Sequence, residues 1–209
     1  MSSAASIARS SYHHGNLRRA LLDKAYELYA EHGDLRFSFR ELARHAGVTH
    51  TAPYRHFANK AELLEALVVD ALERLATAER DAVEAAGADH RERIRGIGVA
   101  YIRFALNYPS PFRLALAGPM SSVDAENTRA SASYRVLERA MRDGQNAGVI
   151  RTDMKSRDLA FAAWSAVHGT ACLLAVGRLP ATEEAVRRYE WVLSTMFLDG
   201  ADVRASAKK

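Results

Sequence analysis

The chain contains a single cysteine, Cys172, among 209 residues. A lone thiol excludes an intrachain disulfide and a thiolate metal cluster, and it points to a reducing compartment. Long apolar runs are also missing. No uninterrupted stretch approaches the roughly 20 residues that span a bilayer, and the opening "MSSAASIARSSYHHGN" lacks the apolar centre of a signal peptide. The expectation is a soluble cytoplasmic protein. No H-E-x-x-H, G-x-S-x-G, phosphate loop or paired-cysteine motif occurs, and Gly96 and Gly98 form a G-x-G with neither a third glycine nor a preceding strand. Enzyme chemistry has no anchor in such a chain, and no cofactor is expected. His168 has no second histidine or carboxylate at ligand spacing, so no metal site is expected either.

What is present is helical. Apolar residues recur at spacings of three and four throughout, no convincing alternating run appears, and the fold class is all-α. With 48% hydrophobic residues the chain can bury a substantial core. Its net charge of +4 is unevenly placed. Residues 1–60 hold nine Lys/Arg against five Asp/Glu and six of the eight histidines, whereas residues 61–209 balance at twenty of each sign. An anionic partner for the first 60 residues follows, with a solvated basic face as the plain alternative.

Local signals divide that basic segment. Leu17, Leu21, Ala25 and Leu28 lie on one face of a helix over about 17–32, with Asn16 as its N-cap and Gly33 as its terminator. "FSFREL" places Ser38 as N-cap with Glu41 three residues on, Phe37 stapling onto Leu42, and Gly47 ending a short second helix. "ANKAELL" repeats the start signal with Asn59 and Glu62, opening a long helix from residue 60 to about 86. Between Gly47 and Asn59 there is room for about two turns, and Pro53 stands in them. A proline in a helix interior costs about 3 kcal/mol, but first-turn amides have no intrahelical partner. A helix over about 50–56, with a tight 3₁₀ turn as one form of its opening, therefore tolerates Pro53 near its start.

Two short helices joined at a glycine turn form a helix-turn-helix. The segment "LLDKAYELYAEHGDLRFSFRELARHAGVTHTAPYRHFANKAELLEAL" resembles the DNA-binding domain of TetR/AcrR-family transcriptional regulators through its apolar first helix, "ELA..AGV" turn, "Y.HF..K" reading helix and "K.EL" continuation. "WSAVHG" at 164–169 with "YHHGNLR" at 12–18 resembles the subgroup named for a Trp-His-Gly signature in the ligand domain. Residues at the N-terminal end of a recognition helix approach base edges, which makes Thr49, His50, Thr51 and Arg55 the readout candidates. Tyr54, His56 and Lys60 match family positions that hold phosphates. Arg40 and Arg44 lie on the supporting helix, and Arg9, His13, His14 and Arg18 are placed to reach backbone or minor groove.

The resemblance implies a domain order: a flexible basic arm at 1–15, the helix-turn-helix at 16–60, a ligand and dimer domain at 61–200, and a disordered tail at 201–209. Helices are expected at about 90–107, 110–117, 125–147, 156–177 and 182–199, with breaks at Pro109, Pro111, Gly118, Pro119, Gly148 and Pro180. Ser156 and Thr182 are the expected caps of the last two. Gly96 and Gly98 are read as points of close helix packing. Tyr101, Phe104, Tyr108, Phe112 and Tyr134, with Met120 and Met141, fit an apolar pocket between helices. Trp164, His168 and Cys172 share one helix face at spacings of four and join that set. Ordinary core is the alternative for each, and His168 is either an effector contact or a satisfied buried histidine.

The last two helices look like the dimerising pair of the family. Their apolar sets, Leu159, Ala163, Ala166, Leu173 and Leu174, then Val186, Tyr189, Val192, Leu193, Met196 and Phe197, exceed what a thin helical domain can hide. A two-fold four-helix interface would set two recognition helices about 34–36 Å apart over a near-palindromic operator. The implied function is a homodimeric repressor released from operator DNA by a small apolar or aromatic effector. A constitutive or architectural DNA-binding protein shares the reading head without needing a pocket.

Overall fold

A computed structural model describes residues 14–117 and 131–201. They form eight α-helices and one 3₁₀ helix, and the all-α expectation holds. The expected arm before residue 14, the tail beyond 201, the break at Gly118 and Pro119, Met120, and the first residues of the helix expected at 125–147 lie outside the described residues. The chain divides into two compact units between Val68 and Val69.

In the first unit, α1 spans His14–His32. It begins before Asn16, which is therefore not its N-cap; the strong helix formers that follow extend the helix past a weak local stop. Gly33, at φ 75°, ends it in the left-handed region that glycine adopts freely. Helix α2 spans Phe39–His45, and Ser38 Oγ accepts the Glu41 amide at 3.1 Å as its cap. The C-terminal turn closes when the Val48 amide donates to Ala43 O at 3.0 Å around Gly47. Leu21, Leu28, Phe37, Leu42, Phe57, Leu63 and Leu67 are almost fully excluded from solvent. The buried Tyr26 hydroxyl donates to Leu67 O at 2.6 Å, tying α1 to the helix that follows the reading element.

That following helix, α3, spans Lys60–Ala85. Asn59 Oδ1 accepts the Glu62 amide at 3.0 Å, and the Glu62 carboxylate accepts the Ala58 amide at 2.6 Å. The capping pair is thus formed, with the carboxylate reaching one residue farther back than a standard box.

The second unit is organised around α4, His90–Asn107, capped by Asp89 and packed against α5 (Pro109–Ala117), α6 (Ser131–Asn146), α7 (Ser156–Ala175) and α8 (Glu183–Ala201). One core cluster joins Ile94, Ile97, Leu137, Met141 and Leu159; another joins Leu75, Tyr101, Phe104, Phe112 and Ala171. At Gly96 an added Cβ would lie 3.3 Å from Ala82 Cβ, so this glycine permits the close approach of α3 and α4; Gly98 meets only Val167, at an ordinary 3.5 Å. Thr182 caps α8, its Oγ1 accepting the Ala185 amide at 3.3 Å. Ser156 does not cap α7. Lys155 holds the extended capping conformation and makes no side-chain bond, which leaves Ser156 as the first helical residue.

Among the described helices, α7 alone is long and apolar enough to cross a membrane. Its apolarity has a local reason: one side enters the core through Leu159, Ala160, Ala163, Ala171 and Leu174, while the opposite side carries exposed Phe161 and Leu173.

Candidate functional site

The element expected to read DNA is shorter than the sequence predicts. Instead of a helix over 50–56, residues 50–52 turn and Pro53–Arg55 form one 3₁₀ turn. Pro53 opens it, so its missing N–H interrupts no helical bond, and Pro53 O accepts the amides of both His56 and Phe57 at 3.0 Å. Two full turns cannot form because Phe57 must leave the helix to enter the core, where it is 1% exposed. Ala52, Pro53 and Phe57 thus anchor the inner side, and Thr49, His50, Thr51, Tyr54 and Arg55 are exposed.

The remaining predicted contacts are distributed around that turn. Arg40 and Arg44 are exposed on α2, and the Arg44 guanidinium lies 3.2 Å from His45 Nε2. Tyr54 packs edge-on against Phe39 with ring centroids 4.9 Å apart, which fixes its ring while its body stays 60% exposed. His56 is half-buried. Lys60 is already engaged: its ammonium donates to Phe37 O at 2.8 Å and sits 5.4 Å from the Phe37 ring centroid. Arg18 likewise lies over Phe57 at 5.3 Å. Both cations therefore brace the reading element as well as charging it.

In the second unit a narrow cavity of about 50 Å³ runs between α4, α6, α7 and α8 and touches α3. Tyr101, Tyr134 and Trp164 line it, as the sequence predicts, with Ile97, Leu137 and Phe197 supplying much of its apolar wall. The other predicted contacts do not line it. Phe104 and Phe112 are core, Tyr108 is 47% exposed, and His168 and Cys172 stand behind the wall. His168 Nδ1 hydrogen-bonds the Tyr101 hydroxyl at 2.7 Å, its Nε2 lies 3.5 Å from Cys172 Sγ, and its ring stacks on Trp164 at 4.7 Å. Burial lowers its pKa, favouring neutral imidazole. Of the two roles open to it in the sequence, His168 has the satisfied one, holding Tyr101 and Trp164 in place.

The most informative residue of the cavity is one that sequence reasoning missed. Glu79, on α3, is 1% exposed; the Ser133 hydroxyl donates to its Oε1 at 2.6 Å, and its Oε2 has no hydrogen-bond partner among the described residues. Burial raises its pKa to about 8, outweighing the opposing effects of the Ser133 hydrogen bond and the Arg80 charge. The available signal was a carboxylate on the apolar stripe of a helix, in register with Leu75 and Ala76. Arg95 and Glu190 also line the cavity, but each has an ion partner: Arg95 pairs with Glu92 at 3.1 Å, and Glu190 receives Arg103 at 2.6 Å.

The outer faces of α7 and α8 carry exposed Phe161, Leu173, Val176, Trp191, Val192 and Met196. The predicted apolar sets mixed this surface with core, since Leu159, Ala163, Leu174 and Val186 are buried and Phe161 and Trp191 were not singled out. An added Cβ at Gly169 would meet nothing within 4 Å.

A basic helix-turn-helix followed by a helical unit with its own cavity defines a class, the one-chain transcriptional regulator. Residues 21–67 match the model of bacterial regulatory proteins of the tetR family, and residues 94–196 match the Tetracyclin repressor-like C-terminal domain. The chain belongs to the TetR family, whose members are DNA-binding transcriptional regulators rather than enzymes. It is 34% identical to a protein of unknown function from Rhodococcus sp. RHA1, with a TM-score of 0.78 over 92% of this chain and 99% of that one. It is also 34% identical over 119 residues to an uncharacterized HTH-type transcriptional regulator of Haemophilus influenzae, covering 54% of this chain and 56% of the relative. An HTH-type transcriptional regulator of Mycobacterium tuberculosis is 28% identical over 142 residues, 68% of this chain and 57% of the relative. The chain thus spans little more than half the length of these curated relatives.

Proposed function

We propose that the chain is a cytoplasmic repressor that binds a near-palindromic operator as a homodimer and is released by a small effector in the second unit. The proposed organisation is a basic N-terminal arm, a DNA-binding domain ending near residue 60 and a sensing and dimer domain beyond it. The observation that carries the DNA reading is the exposed row Thr49, His50, Thr51 and Arg55 on a turn pinned from within by Pro53 and Phe57. A pinned turn presents base-reading groups with little ordering cost. Tyr54, His56, Arg40 and Arg44 serve the phosphates, and Lys60 adds charge from its braced position.

Dimerisation is assigned to the exposed apolar faces of α7 and α8. The open space above Gly169 allows a second backbone to approach closely, which also gives a physical use to the last residue of the Trp-His-Gly sequence. We read the chain as a member of the Trp-His-Gly subgroup, a reading supported by its tryptophan lining the cavity and its histidine contacting the wall. Effector control is supported by the single helix Lys60–Ala85, which carries both Lys60 and Glu79. A ligand that prefers one placement of α3 shifts operator affinity by its differential affinity for the two states.

Constitutive DNA binding remains a second reading because the cavity is small, about 50 Å³, with room for only a few waters. Operator footprinting with and without candidate ligands separates the two. Release of a bound palindrome by a ligand supports the repressor; a dimer that holds its operator against a broad ligand screen supports constitutive binding.

A further inference from the structure

Glu79 is an expensive residue to keep where it is. Its side chain lines the cavity and is buried, one carboxyl oxygen is held by Ser133, and the other has no hydrogen-bond partner among the described residues. A carboxyl with one orphaned oxygen costs stability that leucine would not. Among the described residues of the second unit no cation is hydrogen-bonded to it. The two other charged groups on the cavity wall are occupied, Arg95 by Glu92 and Glu190 by Arg103. The remaining wall offers the rings of Tyr101, Tyr134 and Trp164, whose faces attract positive charge. Among the described residues, a carboxyl with one unpartnered oxygen, aromatic rings and a single arginine already paired with Glu92 make a site that favours positive charge.

We propose that this cavity binds a small organic cation, a protonated amine on a short alkyl body, whose N–H groups are received by Glu79. The assignment rests on the reading of the cavity as the effector site and names that effector's chemical class. A carboxylate ligand would have to displace Glu92 from Arg95 and meet Glu79, so it should bind more weakly than a cation. The protons balance as follows: Glu79, protonated when the cavity is empty at neutral pH, gives its proton to solvent, and the resulting carboxylate pairs with the incoming ammonium. Binding therefore releases one proton per ligand and tightens as pH rises toward 8.

Ethylamine, ethanol and propionate share one ethyl group, small enough for a cavity of about 50 Å³, and differ in the group offered to Glu79, so direct calorimetric titration of the full chain with each is the test. The expected order is ethylamine tightest and propionate weakest. The ethylamine enthalpy should vary with the ionisation enthalpy of the buffer as one released proton requires, a readout on the unmodified protein. Glu79→Gln, which keeps the volume and the Ser133 contact, should weaken ethylamine about tenfold or more and leave ethanol little changed. Ethylamine that binds no tighter than ethanol, that releases no proton, or that is indifferent to Glu79→Gln overturns the proposal. Operator release by a neutral or acidic ligand in a separate gel-shift assay would preserve the effector reading while removing the cation from it.

Discussion

Replacing Glu79 by glutamine should make the second unit more stable at neutral and alkaline pH. In the folded chain burial holds this carboxyl at a pKa of about 8, against an ordinary value of 4.5 when unfolded. Between those values the folded state keeps a proton that the unfolded state has released, so stability falls as pH rises. The slope is about 1.4 kcal/mol per pH unit, and across the whole window the loss approaches about 5 kcal/mol, a large share of a typical domain's stability. Charged neighbours do not reverse the sign: Arg80 and the Ser133 hydroxyl favour the carboxylate but lose to burial, and Arg95 and Glu190 are committed to other partners. Glutamine has no proton to lose. Urea unfolding followed by Trp164 and Trp191 fluorescence, both in the second unit, should therefore give midpoints that diverge between wild type and Glu79→Gln from about pH 5 to about pH 9, the variant gaining. Parallel pH profiles would mean that Glu79 is already ionised in the folded chain, and the picture of an orphaned buried carboxyl would fail.

Three further outcomes follow from the geometry. Arg55→Ala should weaken operator binding measured by fluorescence anisotropy by about 1–3 kcal/mol and relax sequence preference, whereas Arg40→Ala should weaken all sequences alike and reduce the salt slope by about 1. Met196→Asp, at a side chain 74% exposed, should leave the helical content unchanged but shift sedimentation from dimer to monomer; an unshifted profile would move the dimer interface elsewhere. Tyr26→Phe should cost about 1–2 kcal/mol in chemical denaturation of the first unit, because Leu67 O loses its buried donor at 2.6 Å.

Local chemistry made much of this protein legible. Ser38, Asn59 and Thr182 capped the helices they were expected to cap because each signal needs only the next three residues. Ser156 and Asn16 failed because a cap also depends on where neighbouring packing starts the helix, which a short window does not contain. The apolar stripes of α7 and α8 were visible, but periodicity cannot divide a helix with two apolar sides into core and surface. Leu174 and Leu173 are adjacent, yet one is 5% exposed and the other 45%.

Pro53 and Glu79 mark the two limits of that legibility. Proline constrains its own backbone, so its place at the start of the reading turn could be argued from chain chemistry alone; only the shortening of that turn by the burial of Phe57 required tertiary structure. A glutamate constrains nothing locally, and in sequence Glu79 is one of several acids on a long amphipathic helix. Its meaning comes from Ser133, 54 residues away, and from an apolar wall contributed by four other helices. Aromatic side chains drew the sequence-based pocket toward Phe104, Phe112 and His168, where rings are dense. The cavity lies instead beside a carboxyl, because space persists where a polar group prevents the apolar core from closing around it.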